Sequence, residues 1–259
     1  MDLALSDATV KNHHVPQIKR FYNWLGGKEV TTDVIREYLK RFKGMAPSTR
    51  ANVLKAFRRF FRDFLGRGEL VATFRIPNQP FKPKTIPTRE QLQKSYTALE
   101  ALGDRTMFLL YATTGLRKHE LLSIRLKDIE FERRMVTPQS DGSQTKRTWV
   151  TFFNEEASSV LKEYLDANNG FVSDARLFPS EKSVRLAFKK AKEITGIHVT
   201  PQVLREWFCN EMLSKGIQEV YVDAFCGRVP KSVLARHYTD FSPERLKEIY
   251  DKANLRVFT

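Results

Sequence analysis

Four prolines crowd residues 76–87, Ile-Pro-Asn-Gln-Pro-Phe-Lys-Pro-Lys-Thr-Ile-Pro. Each fixes φ and withdraws a backbone donor, so neither a helix nor a central strand runs through them. A 259-residue chain interrupted there has room for two domains, each able to bury its own core. The sequence predicts a helical domain over residues 1–78, a linker over 79–87 and a second domain over 88–259.

Helical periodicity dominates the first domain. Val15, Ile18, Tyr22 and Leu25 share a face before Gly26 and Gly27, and Val34, Ile35, Tyr38, Leu39 and Phe42 repeat the pattern. After Pro47, a third helix carries an apolar stripe of Val53, Leu54, Phe57, Phe60, Phe61, Phe64 and Leu65, expected to face the core. Arg50, Lys55, Arg58, Arg59 and Arg62 lie largely off that stripe. Residues 1–82 hold 16 Lys and Arg against 7 Asp and Glu, the larger part of a net charge of +14. A basic face of that density points to phosphate contact, against the plainer reading of a solvated surface.

Thr88 and Gln91 have capping-box spacing and open the second domain as a helix. Further helices are expected over about residues 154–168, 181–195, 202–215 and 243–254, the last behind the cap Ser242-Pro243. Between them, Ile129 to Phe131, Met135-Val136 and Thr148 to Phe153 flank a polar turn and predict a small sheet. The fold class is therefore mainly α with a small antiparallel sheet. Cys209 and Cys226 are the only cysteines and lack zinc-site spacing, which suggests buried thiols and no metal. The opening residues lack the basic start and apolar run of a signal peptide, and no stretch approaches the ~20 apolar residues of a membrane span. A cytoplasmic, DNA-associated protein with no membrane partner is expected.

Three short segments place arginines ahead of one tyrosine: Arg117 in Ala112-Thr-Thr-Gly-Leu-Arg-Lys-His-Glu-Leu-Leu, Arg205 in Val199-Thr-Pro-Gln-Val-Leu-Arg, and Arg228 after Phe225-Cys-Gly, followed by Tyr238. Two guanidinium groups can clamp a phosphodiester through paired hydrogen bonds while a tyrosine oxygen attacks phosphorus. Gly115 suits a tight turn before Arg117, and Glu120 stands one helical turn later, where an i,i+3 pair can hold the guanidinium. Leu204, Phe208 and Met212 face a core, which puts Arg205 at that core's edge.

In order and spacing these segments resemble the three signature boxes of the tyrosine recombinases, the integrase family. The resemblance covers nearly the whole chain. It implies a helical core-binding domain followed by a mixed α/β catalytic domain. Tyr238 would be the nucleophile, Arg117, Arg205 and Arg228 the phosphate-binding cations, and Lys146 the acid that protonates the departing 5′ oxygen. It also implies double-stranded DNA attachment sites as partner, a homotetramer on synapsed DNA and a C-terminal helix docked on a neighbouring subunit. Because the covalent link conserves bond energy, no cofactor is called for. The chain departs from the pattern at Gln202, where most relatives carry a histidine, at Glu206, and at Arg228, where Gly-His is common. Gln202 cannot act as a general base at neutral pH. Similar replacements, with the Gly-Arg-Val-Pro stretch at residues 227–230, give the sequence its likeness to the fusellovirus-type integrases of archaeal viruses and plasmids. Two rivals stay open: a type IB topoisomerase, which uses the same chemistry on one duplex, and a DNA-binding protein with a decayed active site.

Overall fold

The computed structural model describes residues 9–139, 150–168, 172–178, 181–230 and 232–258. The chain divides into two compact units, Met1–Pro83 and Lys84–Thr259. Among the described residues no helix is long and apolar enough to cross a membrane.

In the N-terminal unit α1 (Val15–Leu25), α2 (Thr32–Lys40) and α3 (Pro47–Phe57) enclose an aromatic core. Gly26 ends α1 with φ at 60°, and the Thr31 hydroxyl caps α2 by accepting the Val34 N–H at 3.3 Å. Phe21 lies at the centre, fully buried, with the rings of Tyr38, Phe57 and Phe61 5.1 to 5.9 Å away and edge-on. The face expected for α1 is rotated by one residue. Phe21 takes the core position, and Tyr22, whose phenol keeps its polar tip wet, stays 41% exposed. The stripe expected along the third helix also ends early. From Arg58 to Phe64 the backbone winds as a π-helix, which widens the turn and carries the α-helical spacing out of register. Phe61 remains buried, whereas Phe64 and Leu65 emerge on the surface.

The larger unit contains α4 (Arg89–Thr97), α5 (Leu102–Thr114), α6 (Lys118–Ser123), a sheet of β1 (Ile129–Glu130), β2 (Met135–Val136) and β3 (Thr151–Phe152), then α7 (Glu155–Ala167), α8 (Glu181–Thr195), α9 (Pro201–Ser214), α10 (Glu219–Phe225), α11 (Val233–His237) and α12 (Pro243–Ala253). The three strands pair antiparallel in chain order. The capping box of α4 forms in both directions, Gln91 N–H to Thr88 Oγ1 at 3.3 Å and Thr88 N–H to Gln91 Oε1 at 3.0 Å. Residues 106–114 of α5 are all buried, so this helix is the axis of the unit, packed against α7 and α9.

The end of α5 sets up everything that follows. Its terminal carbonyls are satisfied by side chains: Tyr250 Oη donates to Thr113 O at 2.8 Å and Thr151 Oγ1 to Thr114 O at 2.7 Å. The chain then turns at Gly115, φ 67°. A Cβ there would stand 2.5 Å from Cδ1 of the buried Phe208 ring and 3.1 Å from the Cys226 sulfur. Gly115→Ala therefore combines left-handed backbone strain with overpacking, about 2 to 5 kcal/mol, and thermal unfolding is expected to show a melting temperature lower by roughly 5 to 15 °C.

Helix α12 turns Leu246, Ile249, Tyr250 and Ala253 into its own unit's core. Beyond it the N–H groups of Val257 and Phe258 donate to the Glu156 carboxylate at 2.8 and 3.0 Å. The C-terminal helix forms where its cap predicts, and this face of it packs within its own unit. The i, i+3, i+4, i+7 spacing of those four apolar residues supplies one face, and the parent chain already covers it.

Candidate functional site

Arg117, Glu120 and Arg205 come together where α5, α6, α9 and α10 converge. Arg117 is the residue before α6, and its own N–H and Nη1 donate to the two oxygens of Glu120 at 2.6 and 2.5 Å. Glu120 is only 5% exposed and also faces Arg205 Nη1 at 3.9 Å, so one carboxylate positions two cations. Arg205 is not at the edge of the core. It is 4% exposed, with Nη1 donating to Gly115 O at 2.6 Å and Nη2 to Cys226 O at 2.7 Å. Burial, and then the neighbouring Arg117 charge, pull its pKa below the usual arginine range.

Arg117 Nη2 donates to Gly227 O at 3.2 Å. Both arginines are thus bound to carbonyls just past the C-terminal end of α10, where the helix dipole favours positive charge. A guanidinium has five N–H donors. Two on each are committed to the protein, which fixes the plane of the group and leaves donors for a ligand.

Both guanidinium groups line a cleft of about 570 Å³ with Lys118, Arg185, Lys189 and Lys192, six cations against the single carboxylate of Glu181 among the described residues. Lys118 pairs with that Glu181. Gln202 and His198 stand in the same wall. Gln202 Nε2 donates to Glu206 Oε1 at 2.9 Å, and Glu206 also pairs with Lys84. The sequence reading missed the basic face of α8. Its signal is present: Arg185, Lys189 and Lys192 repeat at i, i+4, i+7, beside the buried Val184, Phe188 and Ala191.

Arg228 is placed differently. Its side chain is 46% exposed, with Nη1 on Asp223 Oδ1 at 2.6 Å and Nη2 3.8 Å from Cys209 Sγ. Tyr238 lies at the end of α11, a helix with no buried residue, and is 77% exposed. Among the described residues no hydrogen bond joins its hydroxyl to Arg117, Arg205 or Arg228. Lys146 lies outside the described residues.

Of the basic residues on the third helix, Lys55 and Arg62 are exposed and Arg50, Arg58 and Arg59 half-buried. Arg58 Nη2 donates to Phe74 O at 2.6 Å, and Arg59 and Arg62 share Asp63 at 2.9 and 2.7 Å. Arg50 Nε is buried without a partner among the described residues.

Comparison with known proteins matches residues 87–245 to the phage integrase family. The tyrosine recombinase XerA of Pyrococcus furiosus is 29% identical over 244 residues, 89% of this chain and 83% of the relative. Among solved structures, a lambda integrase (75–356) dimer bound to a COC′ core site covers 92% of this chain and 90% of its own, with a TM-score of 0.68 at 19% identity. The Tn1549 transposon integrase in complex with circular intermediate DNA covers 94% of each chain, with a TM-score of 0.67 at 16% identity. At these identities the structural likeness is one of fold.

Proposed function

This chain belongs to the phage integrase family, and we propose from that premise that it is a site-specific DNA recombinase working through Tyr238. The tyrosine oxygen attacks phosphorus, the 5′ oxygen leaves, and a 3′-phosphotyrosyl link holds the broken strand. The freed 5′ hydroxyl of a partner strand then reverses the step. The observation that supports this most is the pair Arg117 and Arg205, locked by Glu120 and by the carbonyls of Gly115, Cys226 and Gly227 and lining a cationic cleft. Such pre-organised donors stabilise charge developing on the phosphoryl oxygens without reorganising during the reaction.

Glu120 and Gln202 support this site, Arg228 adds positive charge beside it, and Lys146 is the proposed acid for the leaving 5′ oxygen. The partner is a pair of double-stranded DNA attachment sites bound by a homotetramer, and the protein acts in the cytoplasm on a mobile element of the fusellovirus type. The replacement of the box histidine by Gln202 and the Gly-Arg-Val-Pro stretch favour that subgroup. A nicked suicide duplex carrying the attachment site tests the reading. A covalent adduct with strand exchange between two duplexes supports it. An adduct with relaxation alone makes the chain a topoisomerase, and binding without an adduct makes it a DNA-binding module.

Arg50, Lys55, Arg58, Arg59 and Arg62 are the proposed backbone-binding residues of the N-terminal unit. Replacing the two exposed ones, Lys55 and Arg62, by Gln is expected to weaken binding to any duplex. The slope of log affinity against log salt should flatten by roughly 0.9 for each phosphate no longer neutralised. An unchanged slope would show that this face meets only water.

A further inference from the structure

Cys209 stands one helical turn beyond Arg205 on α9, and Cys226 is the first residue past α10. Their sulfurs lie 3.3 Å apart as free thiols, Cys209 partly exposed and Cys226 buried. We propose that these two residues form a reversible intramolecular disulfide, made by a peroxide and undone by a small thiol, that turns the arginine site off. The effect on activity rests on the recombinase reading above; the disulfide itself does not.

The surroundings favour the chemistry at one sulfur. Hydrogen bonding from the Cys226 thiol, opposed by burial and aided by the charges of Arg228 and Arg205, brings the Cys209 thiol down to about 7. The same hydrogen bond, with burial, pushes Cys226 up. Cys209 is therefore the attacking thiolate, and it is the one that solvent reaches. Its sulfur attacks a peroxide oxygen: an S–O bond forms, the O–O bond breaks and hydroxide leaves, giving a sulfenic acid. The Cys226 sulfur then attacks the Cys209 sulfur. An S–S bond forms, the S–O bond breaks, and water departs with the Cys226 proton. Two thiols are oxidised by two electrons and the peroxide is reduced to water. Attack by a small thiol on the disulfide restores both.

The consequence for the site is mechanical. In this proposal, closing the gap from 3.3 Å to the ~2.05 Å of a disulfide draws α9 and the Cys226 segment together. The carbonyl of Cys226 holds Arg205 and that of Gly227 holds Arg117, so both guanidinium groups ride on the residues that move. There is no slack beside them, since a single methyl group on Gly115 would meet the Cys226 sulfur at 3.1 Å. A displacement near 1 Å in such a site costs on the order of 10²-fold in rate.

The test treats the full-length protein with hydrogen peroxide. Thiols are counted after denaturation, proteolytic peptides are mapped without reductant, and suicide-duplex cleavage is timed before treatment, after it, and after dithiothreitol. The expected result is loss of both free thiols, a Cys209–Cys226 linked peptide pair, cleavage slower by about 10²-fold and recovery with reductant. Cross-linking should quicken as pH rises through about 7, the Cys209 range. Cys209→Ala and, as a second variant, Cys226→Ala should each cleave at the same rate with and without peroxide. Thiols that remain free, a link formed only between chains, or an internal link with undiminished cleavage would each overturn the proposal. A reduced protein that forms no adduct overturns the recombinase reading and the switch with it, and the peptide map still reports whether the disulfide forms.

Discussion

Tyr238→Phe is expected to bind DNA as tightly as the wild type and to form no covalent complex. Only the proposed attacking oxygen is removed, and among the described residues no hydrogen bond joins that oxygen to the three arginines. The ring is 77% exposed, so its loss of one polar atom leaves packing and stability unchanged. The rest of the helix explains why Tyr238, the proposed nucleophile, stands open. Val233 and Leu234 are 69% and 70% exposed, and α11 buries nothing, so moving it disturbs little packing. In the proposed reaction, engagement with DNA brings the hydroxyl to a phosphate held by Arg117 and Arg205. A denaturing gel of protein with suicide duplex reads the result directly. An adduct surviving in Tyr238→Phe would move the nucleophile to another tyrosine, and Tyr111 and Tyr250 are poor candidates. Both are buried and donate to backbone carbonyls, of Lys118 and Thr113, and burial lifts both well above the usual tyrosine range.

Local rules made most of the helices legible. The Thr88 capping box, the glycine after Leu25, the Ser242-Pro243 start and the spacing along residues 181–195 are all short-range signals, and the elements form where those signals stand. What escaped is long-range. The π-helical winding from Arg58 to Phe64 has no sequence marker, and Phe64 at its end is left in water. The pairing of Arg117 with Glu120 was readable from i,i+3 spacing. The ties of Arg205 to Gly115 O and Cys226 O were not, because every residue has a carbonyl and only tertiary packing selects which one faces a guanidinium. The same holds for the two thiols, 17 positions apart in sequence and adjacent only because α9 packs on α10.

Arg205→Ala should lose both activity and stability, a combination that separates it from Arg228→Ala. A guanidinium that stabilises the phosphoryl charge contributes roughly 2.7 to 4 kcal/mol, so single-turnover cleavage is expected to fall about 10² to 10³-fold. The alanine also strands the carbonyls of Gly115 and Cys226 in a buried setting, at about 1 to 3 kcal/mol each, and the melting temperature should fall by roughly 5 to 20 °C. Arg228 is 46% exposed, and its pair with Asp223 is a partly solvated one. Its removal should cost no more than about 1 kcal/mol, a shift of a few degrees. Arg205→Lys then divides the two roles of Arg205. It restores a positive charge and an ammonium donor group but not the planar fork, so stability should recover in part while cleavage stays low. The comparison is made at saturating DNA and well below the melting temperature of every variant. If cleavage by Arg205→Ala follows only its folded fraction, or if lysine restores cleavage along with stability, Arg205 is a structural tie and the phosphate clamp passes to Arg117 alone.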